Sequence, residues 1–444
     1  MNTPICDFVR DYREREALRL HMPGHKGRVL LGPEPMDITE IPGADVLYHA
    51  RGLIRESEEN AASLFGSART FYSAEGSSLC IRAMLQLSLL YARLRGLPPR
   101  VAAGRNAHRV FLEAAALLDL ELRWIGCGPS LLSCVPTLSE LEALFSDPES
   151  APAAVYLTSP DYLGNCLDLA PYAELCRRHG ALLLVDNAHG AYLKFLSPSK
   201  HPLDQGADLC CDSAHKTLPV LTGGAWLHLS HSCPKELLPM AEQALALFAS
   251  TSPSYLILQS LDAVNPLLAG AYPGRIRETA AKVEALKASL RTGGWTLYGQ
   301  EPLKLCLLPK PFGYTGEDLA VLLQGAGIVA EFSDPDHLVL MFTPENTEAE
   351  LRRLESFLLS LPRLPAIQTT PPPLPTPQSV LSPREALLSP FETLPAERCL
   401  GRILATPCVG CPPAVPIAVC GERLGTEALA LFGYYGIEEL DVVL

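Results

Sequence analysis

The chain has 444 residues, of which 48% are hydrophobic and 19% are charged, and these values predict a globular protein of two or three domains rather than a disordered one. Its formal net charge of −13 argues against a nucleic acid or an anionic membrane surface as the main partner, because both bind basic faces. The same charge is compatible with small cationic substrates.

The first part of the chain is polar and irregular. Residues 1–20 are rich in Asp, Glu and Arg and lack the apolar core of a signal peptide, and no later segment has the length of a membrane span. We therefore predict a cytoplasmic protein. The segments 21–27 and 37–45 are dense in polar and turn-forming residues, which indicates either arms that reach over an active site or irregular surface turns. We assign residues 1–55 to an N-terminal arm.

Residues 56–265 are predicted to form a large α/β domain. Short apolar runs alternate here with amphipathic segments, which is typical of a mainly parallel sheet wrapped by helices. A helix is predicted at 79–94, directly after Gly76-Ser77-Ser78. Another is predicted at 171–179, with Asp168 as its N-cap and Gly180 as its C-terminal stop. The candidate strands are 122–125, 153–157, 181–185, 208–211 and 225–229.

From Pro266 the pattern changes, and a smaller α+β domain is predicted over residues 266–360. A proline-dense stretch, 361–377, cannot continue a helix or a sheet and is interpreted as a linker. Residues 378–444 are amphipathic again and are predicted to form an appended C-terminal domain. Within the α+β domain the predicted elements are helices at 275–291, 317–325 and 347–359, and strands at 303–308 and 337–342.

The 14 cysteines have no regular spacing and are interpreted as reduced, small hydrophobic residues. Cys408 and Cys411 form a CxxC pair. Because neither a second such pair nor a nearby histidine accompanies them, we predict no metal site and no redox motif there.

The most specific chemistry comes from Asp186, which ends an apolar run, and from Lys216, 30 residues later in the string DSAHKT. A lysine amine can form a Schiff base with pyridoxal phosphate (PLP), and a carboxylate beside the pyridine nitrogen keeps the ring protonated and able to accept electrons. Taken singly, Asp186 could cap a turn and Lys216 could lie on an exposed loop. Together, with Ser213 and His215 beside the lysine, they predict a PLP site at the carboxyl edge of the sheet.

Further residues suit the same site. Gly76-Ser77-Ser78 before a helix offers N–H groups and hydroxyls to a phosphate, although a plain capped turn is the alternative. Small Ala188 would let the ring lie flat against the strand, and His189 would then contact cofactor or substrate, unless it is a core or capping histidine. His108, after a short strand-like segment, would stack on the opposite face of the ring or is an ordinary loop histidine.

Taken in order, these residues resemble the PLP-dependent ornithine/lysine/arginine decarboxylase family. The resemblance implies PLP-dependent transferase fold type I, with a mainly parallel seven-stranded sheet flanked by helices, a smaller α+β domain and a C-terminal appended domain. It also implies decarboxylation of a basic amino acid, arginine, lysine or ornithine, to carbon dioxide and a polyamine-pathway amine. The matching strings span nearly the whole chain and are HMPGHKG, DITEIPGADVL, EGSS, RNAH, TSPDYLG, VDNAHGA, DSAHKTLPVLTGG, TSPSY and CPPAVPIAVCGE.

Position by position, the resemblance implies Lys216 as the Schiff-base lysine, Asp186 on the pyridine nitrogen and His108 stacked on the ring. Lys216 or His189 would return a proton to the substrate's Cα. The resemblance also implies a homodimer with active sites at the subunit interface, in which residues 251–254 serve the neighbouring subunit's phosphate. The predicted phosphate contacts within the chain come from Ser77, Ser78, Ser213 and His215.

The chain departs from the family pattern at two strings. Several members have RNCHKS where this chain has RNAHRV, and many have an Asn after the phosphate turn where this chain has Cys80-Ile81. Larger members begin with a wing domain, for which there is no room before His21, so the higher oligomers that depend on it are not expected.

Two questions stay open from the residues alone. The partner for the substrate's distal cation is one of three carboxylates, Glu422, Asp45 or Glu40. The alternatives to the decarboxylase are another PLP enzyme of this fold, an aminotransferase or a lyase, or a PLP-binding protein without turnover.

Overall fold

The computed structural model describes residues 1–126, 132–376, 378–406 and 417–444. The chain divides into two compact units. The first comprises Met1–Pro98, Ala153–Ser159 and Asp168–Ile276, and the second comprises Pro99–Pro152, Pro160–Leu167 and Arg277–Leu444. The pair Cys408 and Cys411, and residues 411–416 of the last matching string, lie outside the described residues.

Helices and strands alternate through most of the chain. The helices are α1 (Pro4–Glu14), α2 (Leu53–Phe65), α3 (Gly76–Arg95), α4 (Arg109–Leu118), α5 (Leu138–Ser146), α6 (Ala170–His179), α7 (Ala214–Thr217), α8 (Ala241–Ala246), α9 (Tyr255–Ala269), α10 (Tyr272–Thr292), α11 (Gly316–Gly325), α12 (Glu348–Ser360), α13 (Pro383–Leu387) and α14 (Thr426–Tyr434). The strands are β1 (Arg69–Ser73), β2 (Arg100–Gly104), β3 (Glu121–Ile125), β4 (Ala154–Thr158), β5 (Leu182–Asp186), β6 (Leu209–Asp212), β7 (Ala225–Leu229), β8 (Thr296–Tyr298), β9 (Lys304–Leu308), β10 (Phe332–Ser333), β11 (Leu338–Met341), β12 (Phe391–Pro395) and β13 (Glu439–Val443).

The largest sheet of the described residues has seven strands in the order β1-β7-β6-β5-β4-β2-β3. β5 pairs in parallel with β4 and with β6, β2 pairs in parallel with β3, and β7 runs antiparallel to β6 and β1. The predicted mainly parallel sheet flanked by helices is thereby confirmed. Every residue of β5, β6 and β7 is buried, and strands covered on both faces appear in a sequence as nearly continuous apolar runs.

Most predicted elements of this sheet lie within a residue or two of the observed ones, but two predictions need correction. Asp168 is not the N-cap of α6: that position is Leu169, whose side chain makes no capping hydrogen bond. A proline in the first turn starts the helix instead, because its fixed φ suits that position. β1 was not among the predicted strands, since RTFYS mixes polar and apolar residues. Gly180 is the C-cap as predicted, with φ +66°.

Strand direction brings three chain segments to one edge of the sheet. β1 is antiparallel to β7, and β7 is antiparallel to β6, so β1 runs in the same direction as β6 and β5. The carboxyl ends of all three strands therefore lie at the same edge. α3 begins shortly after β1, and α7 begins shortly after β6.

The predicted elements of the α+β domain lie in the second unit, except that α10 begins in the first. β10, β11, β9 and β8 form an antiparallel four-stranded sheet in that order, and α10, α11 and α12 lie where helices were predicted. Residues 361–376 contain neither helix nor strand, as the proline content predicts. At the C-terminal end, β12 and β13 pair antiparallel, and Val442 of β13 belongs to a buried cluster that includes Leu404, Leu431 and Phe432.

None of the helices in the described part of the chain is both long enough and apolar enough to cross a bilayer.

Candidate active site

Lys216 and His189 are in direct contact at the carboxyl edge of the sheet in the first unit. Lys216 belongs to the short helix α7, where its backbone N–H donates to Ser213 O at 3.0 Å. Its side chain is half-buried, and Nζ lies 2.9 Å from Nε2 of the buried His189. The two residues proposed to return a proton are thus within hydrogen-bonding distance of each other.

Asp186 ends β5 and is buried, with 3% of its surface exposed. The backbone N–H of Ala188 donates to Oδ1 at 3.1 Å, and the hydroxyl of Tyr156 donates to Oδ2 at 3.0 Å. Cys211 Sγ lies 3.7 Å from Oδ1. Donors from three neighbouring segments therefore fix the orientation of this carboxylate.

Tyr156 was missed in the sequence analysis, although the sequence contains a signal for it. Tyr156 pairs with Leu184 across β4 and β5. Paired residues of neighbouring strands point to the same face, and so do residues two apart in one strand. Asp186 lies two residues after Leu184, so Tyr156 and Asp186 lie on the same side of the sheet. A single tyrosine in the apolar run AVYLT was the available signal.

The predicted phosphate turn lies at the N-terminus of α3. Gly76 has φ +68°, and its N–H donates to Gly223 O at 2.7 Å, which ties the turn to the loop after α7. Ser213 Oγ donates to Ser77 Oγ at 2.8 Å, and Ser78 follows in the first turn of the helix. Two hydroxyls at the N-terminus of a 20-residue helix form an environment that suits an anion.

His215 precedes Lys216 in α7 and is held by the loop before β7. Its Nδ1 lies 2.9 Å from Gly224 O, a carbonyl oxygen that can only accept, so Nδ1 carries the proton. Burial lowers the pKa of His215, and the charge of Lys216 lowers it further, against the effect of the hydrogen bond to Gly224. The neutral ring therefore presents an unprotonated Nε2, and a phosphate contact from that atom requires the ring to take up a proton.

His108 belongs to the second unit. It is the N-cap residue of α4, and its Nδ1 accepts from Val110 N–H at 3.3 Å. Arg109 follows His108 at the string where this chain departs from the family pattern. Its side chain pairs with Glu113 at 3.4 Å, one turn along the same helix. The predicted stacking of His108 on a cofactor ring stays a prediction.

Two of the three carboxylates considered for the substrate's distal cation have structural partners. Glu422, in the second unit, is 3% exposed at its side chain and forms a bidentate pair with Arg105, at 2.7 and 3.1 Å. Asp45, in the first unit, accepts from the N–H groups of Gly52 and Ile54 at the start of α2, at 2.8 and 3.1 Å. These bonds argue against both residues as substrate ligands, since binding substrate would compete with them.

A buried polar cluster connects the ends of β5 and β6. Asn187 Nδ2 donates to Asp212 Oδ1 at 2.6 Å, and His201 Nε2 lies 3.0 Å from Asp212 Oδ2. His228 Nε2 lies 3.3 Å from the same oxygen. Burial alone would raise the pKa of Asp212, but the two histidines hold it well below its usual range. This cluster was not predicted from the sequence, and it anchors the residue that directly precedes Ser213.

Comparison with known proteins supports this chemistry. The family model described as "Orn/Lys/Arg decarboxylase, major domain" matches residues 3–305. The Bacillus subtilis protein YaaO is 31% identical over 97% of this chain and 93% of its own length. A Bacillus anthracis protein named arginine decarboxylase is 26% identical over 96% of this chain and 92% of its own length. The E. coli constitutive lysine decarboxylase structure superposes with a TM-score of 0.78 and 17% identity, covering 100% of this chain and 82% of that one, which shows a shared fold.

Proposed function

Because the chain belongs to the Orn/Lys/Arg decarboxylase family and is accordingly an amino acid decarboxylase, a carboxy-lyase, we propose that it removes the α-carboxylate of a basic amino acid. The substrate is arginine, lysine or ornithine, and the products are carbon dioxide and the corresponding polyamine-pathway amine. The observation that carries this proposal is the contact of Lys216 Nζ with His189 Nε2, 2.9 Å apart at the sheet edge where Asp186 ends β5.

PLP is the cofactor expected for this family, and the side chains of the first unit fit it. Lys216 would hold its aldehyde carbon, Asp186 its ring nitrogen, and the α3 N-terminus with Ser77 and Ser213 its phosphate. The fit rests on the donor set: a half-buried amine, a carboxylate held by three donors and two hydroxyls 2.8 Å apart at a helix N-terminus. When bound, PLP supplies the ring that accepts the electrons of the breaking Cα–carboxylate bond.

The chain's own residues would orient the reactants and move the proton. Asp186 would keep the ring nitrogen protonated through charge pairing. Lys216 Nζ or His189 Nε2 would deliver a proton to Cα after carbon dioxide leaves, and their contact lets a proton pass between them.

Arginine is the first substrate to test. The Bacillus anthracis relative named arginine decarboxylase aligns over 96% of this chain, and its name supports arginine as the substrate. Lysine and ornithine carry a shorter cationic side chain with the same charge, and they are the matched comparisons.

The reaction test measures carbon dioxide and amine together. The purified protein is incubated with PLP and arginine, lysine or ornithine, and equal amounts of carbon dioxide and one amine are expected from a single preferred substrate. Formation of a keto acid without carbon dioxide would indicate an aminotransferase, and PLP binding without any product would indicate a binding protein. Either result would contradict the proposed decarboxylation.

We further propose a cytoplasmic homodimer that acts in polyamine biosynthesis and builds each active site from both subunits. The segment 251–254, with Thr251 and Ser252 exposed, would contact the phosphate bound by the other subunit.

A further inference from the structure

We propose that Tyr156 is a positioning residue that orients the Asp186 carboxylate toward the ring nitrogen of the cofactor. This inference rests on the proposed PLP site. Tyr156 would not touch the substrate, and it acts through Asp186 alone.

The geometry is a buried hydrogen bond between neighbouring strands. The hydroxyl of Tyr156 donates to Asp186 Oδ2 at 3.0 Å, and the two residues are 0% and 3% exposed. On the other oxygen, Oδ1 accepts from Ala188 N–H at 3.1 Å. Together with the Cys211 thiol on Oδ1, these donors restrict rotation of the carboxylate, and Oδ2 keeps a lone pair for a further donor.

The position of the hydroxyl argues for a specific role. Tyr156 lies between the fully buried Val155 and the nearly fully buried Leu157 in the middle of β4. A buried hydroxyl is unfavourable unless it is hydrogen-bonded, and a phenylalanine would fill the same space without that cost. The carboxylate of Asp186 is the acceptor that satisfies this hydroxyl.

The Tyr156 hydroxyl stays protonated, so it is always the donor in its hydrogen bond to Asp186. Burial and then the negative charge of Asp186 raise the pKa of Tyr156 well above its usual value. The phenol therefore remains a donor throughout the working range of an enzyme. Tyr156 would therefore hold Oδ2 of Asp186 in the same orientation throughout that range.

The test compares Tyr156→Phe with Tyr72→Phe. Tyr72 is the matched control, because it is also a fully buried tyrosine of the first unit, with a hydroxyl bonded to Ser57 at 2.7 Å and to Asn265 at 2.8 Å. Both variants lose one buried hydroxyl and should lose a similar amount of thermal stability. Only Tyr156→Phe should weaken PLP binding to the apoprotein, by about tenfold, as expected for the loss of one hydrogen bond to a charged group.

The spectral readout separates positioning from stability. Tyr156→Phe should shift the pH midpoint of the bound cofactor's visible absorption and lower kcat more than it changes KM, whereas Tyr72→Phe should change neither. Equal PLP affinity and equal spectra in the wild type and Tyr156→Phe would overturn the positioning role. Equal weakening of PLP binding in both variants would also overturn it.

A double variant tests whether Tyr156 acts through Asp186. In the background of Asp186→Ala, which removes the acceptor, adding Tyr156→Phe should change PLP affinity by less than about twofold, because a residue that acts through Asp186 has nothing left to orient. A full additional tenfold loss would contradict the proposal. If the wild-type protein itself binds no PLP, the proposed cofactor fails and this inference fails with it; if it binds PLP but the variants do not differ, only the inference fails.

Discussion

At the scale of single residues, the proposed reaction depends on the contact between a lysine and a histidine. Lys216 Nζ and His189 Nε2 are 2.9 Å apart, which is hydrogen-bonding distance. The proposed transfer of a proton to the substrate's Cα would start from one of these two atoms.

Replacing Lys216 tests the covalent role directly. Lys216→Ala should abolish the visible absorption of the bound cofactor and lower kcat by at least about 1,000-fold, because the attachment amine is lost. The exposed Lys200 lies in the same unit, and Lys200→Ala is the matched control that should leave both unchanged. An unchanged visible band in Lys216→Ala would disprove the assignment.

His189→Asn tests the proton-transfer role. If His189 takes part in proton delivery, kcat should fall by about 100-fold or more while PLP remains bound, as is usual when a general acid is removed. The exposed His231 of the same unit gives the control His231→Asn. A drop in kcat of less than about twofold in His189→Asn would leave Lys216 as the sole donor.

The buried carboxyl of Glu58 should make the free energy of unfolding depend on pH. Burial raises the pKa of Glu58 to about 8, and its Oε1 accepts from Tyr72 N–H at 2.9 Å. The folded state thus binds this proton more tightly than the unfolded state, whose carboxyl titrates near 4.5. The stability contribution is therefore complete below pH 4.5 and is lost as the pH rises to 8, by up to about 1.4 kcal/mol per pH unit.

Denaturant unfolding as a function of pH measures this effect. Glu58→Gln should reduce the slope between pH 4.5 and 8, since a neutral amide can accept the same hydrogen bond. Glu59→Gln, at the exposed neighbouring position, should keep the wild-type slope. Identical slopes for the wild type and Glu58→Gln would show that Glu58 titrates normally.

At the scale of elements, the N-terminus of α3 depends on an unusual backbone conformation. Gly76 has φ +68°, and a Cβ there would meet no atom within 4 Å, so a substitution would act through backbone strain alone. Gly96, the C-cap of the same helix, has φ +66° and equally open space. The two glycines differ in location: Gly76 adjoins Ser77, and Gly96 lies at the opposite end of a 20-residue helix.

This pair gives a prediction for phosphate binding. Gly76→Ala and Gly96→Ala should each destabilise the protein by about 1 kcal/mol, the cost of a left-handed conformation in a residue with a Cβ. Gly76→Ala alone should also weaken PLP binding, because a shift of the turn moves Ser77 and the first N–H groups of the helix. Calorimetric titration of the apoproteins with PLP measures this difference. Equal affinities in both variants would show that the turn does not contribute to phosphate binding.

At the scale of the whole molecule, the question is which subunit completes the site. Ser250 N–H donates to Glu75 Oε1 at 2.7 Å, so the segment 251–254 begins beside the phosphate turn of its own chain. The proposed homodimer assigns the following residues to the neighbouring subunit's phosphate. Mixing two inactive variants can separate these arrangements.

The mixing experiment combines Lys216→Ala with a Thr251→Ala/Ser252→Ala double variant, each expected to be impaired alone. If 251–254 act across the interface, mixed dimers contain one site with no lesion, and part of the activity should return. If these residues act within their own subunit, every site carries a lesion and no activity returns. Light scattering on the same samples checks that dimers form.

Much of the fold was predictable because it follows from local patterns. The buried strands β4 to β7 appear as apolar runs, and the stop of α6 at Gly180 follows from a glycine that adopts φ +66°. β1 was not predicted, because its five residues mix polar and apolar side chains without a distinctive hydrophobic period. The boundaries proposed for the arm, the domains and the linker stay predictions.

By itself, the sequence determined which chemical groups could form the candidate cofactor site. These are an Asp at a strand end, a Lys in DSAHKT and a glycine-serine turn before a helix, and each is recognisable within a few residues. Only the tertiary structure decided which groups meet. The contacts of Lys216 with His189, of Tyr156 with Asp186 and of Ser213 with Ser77 join residues 27, 30 and 136 positions apart. Strand pairing and direction bring these residues together, and no local sequence pattern encodes which distant side chain will occupy the neighbouring position.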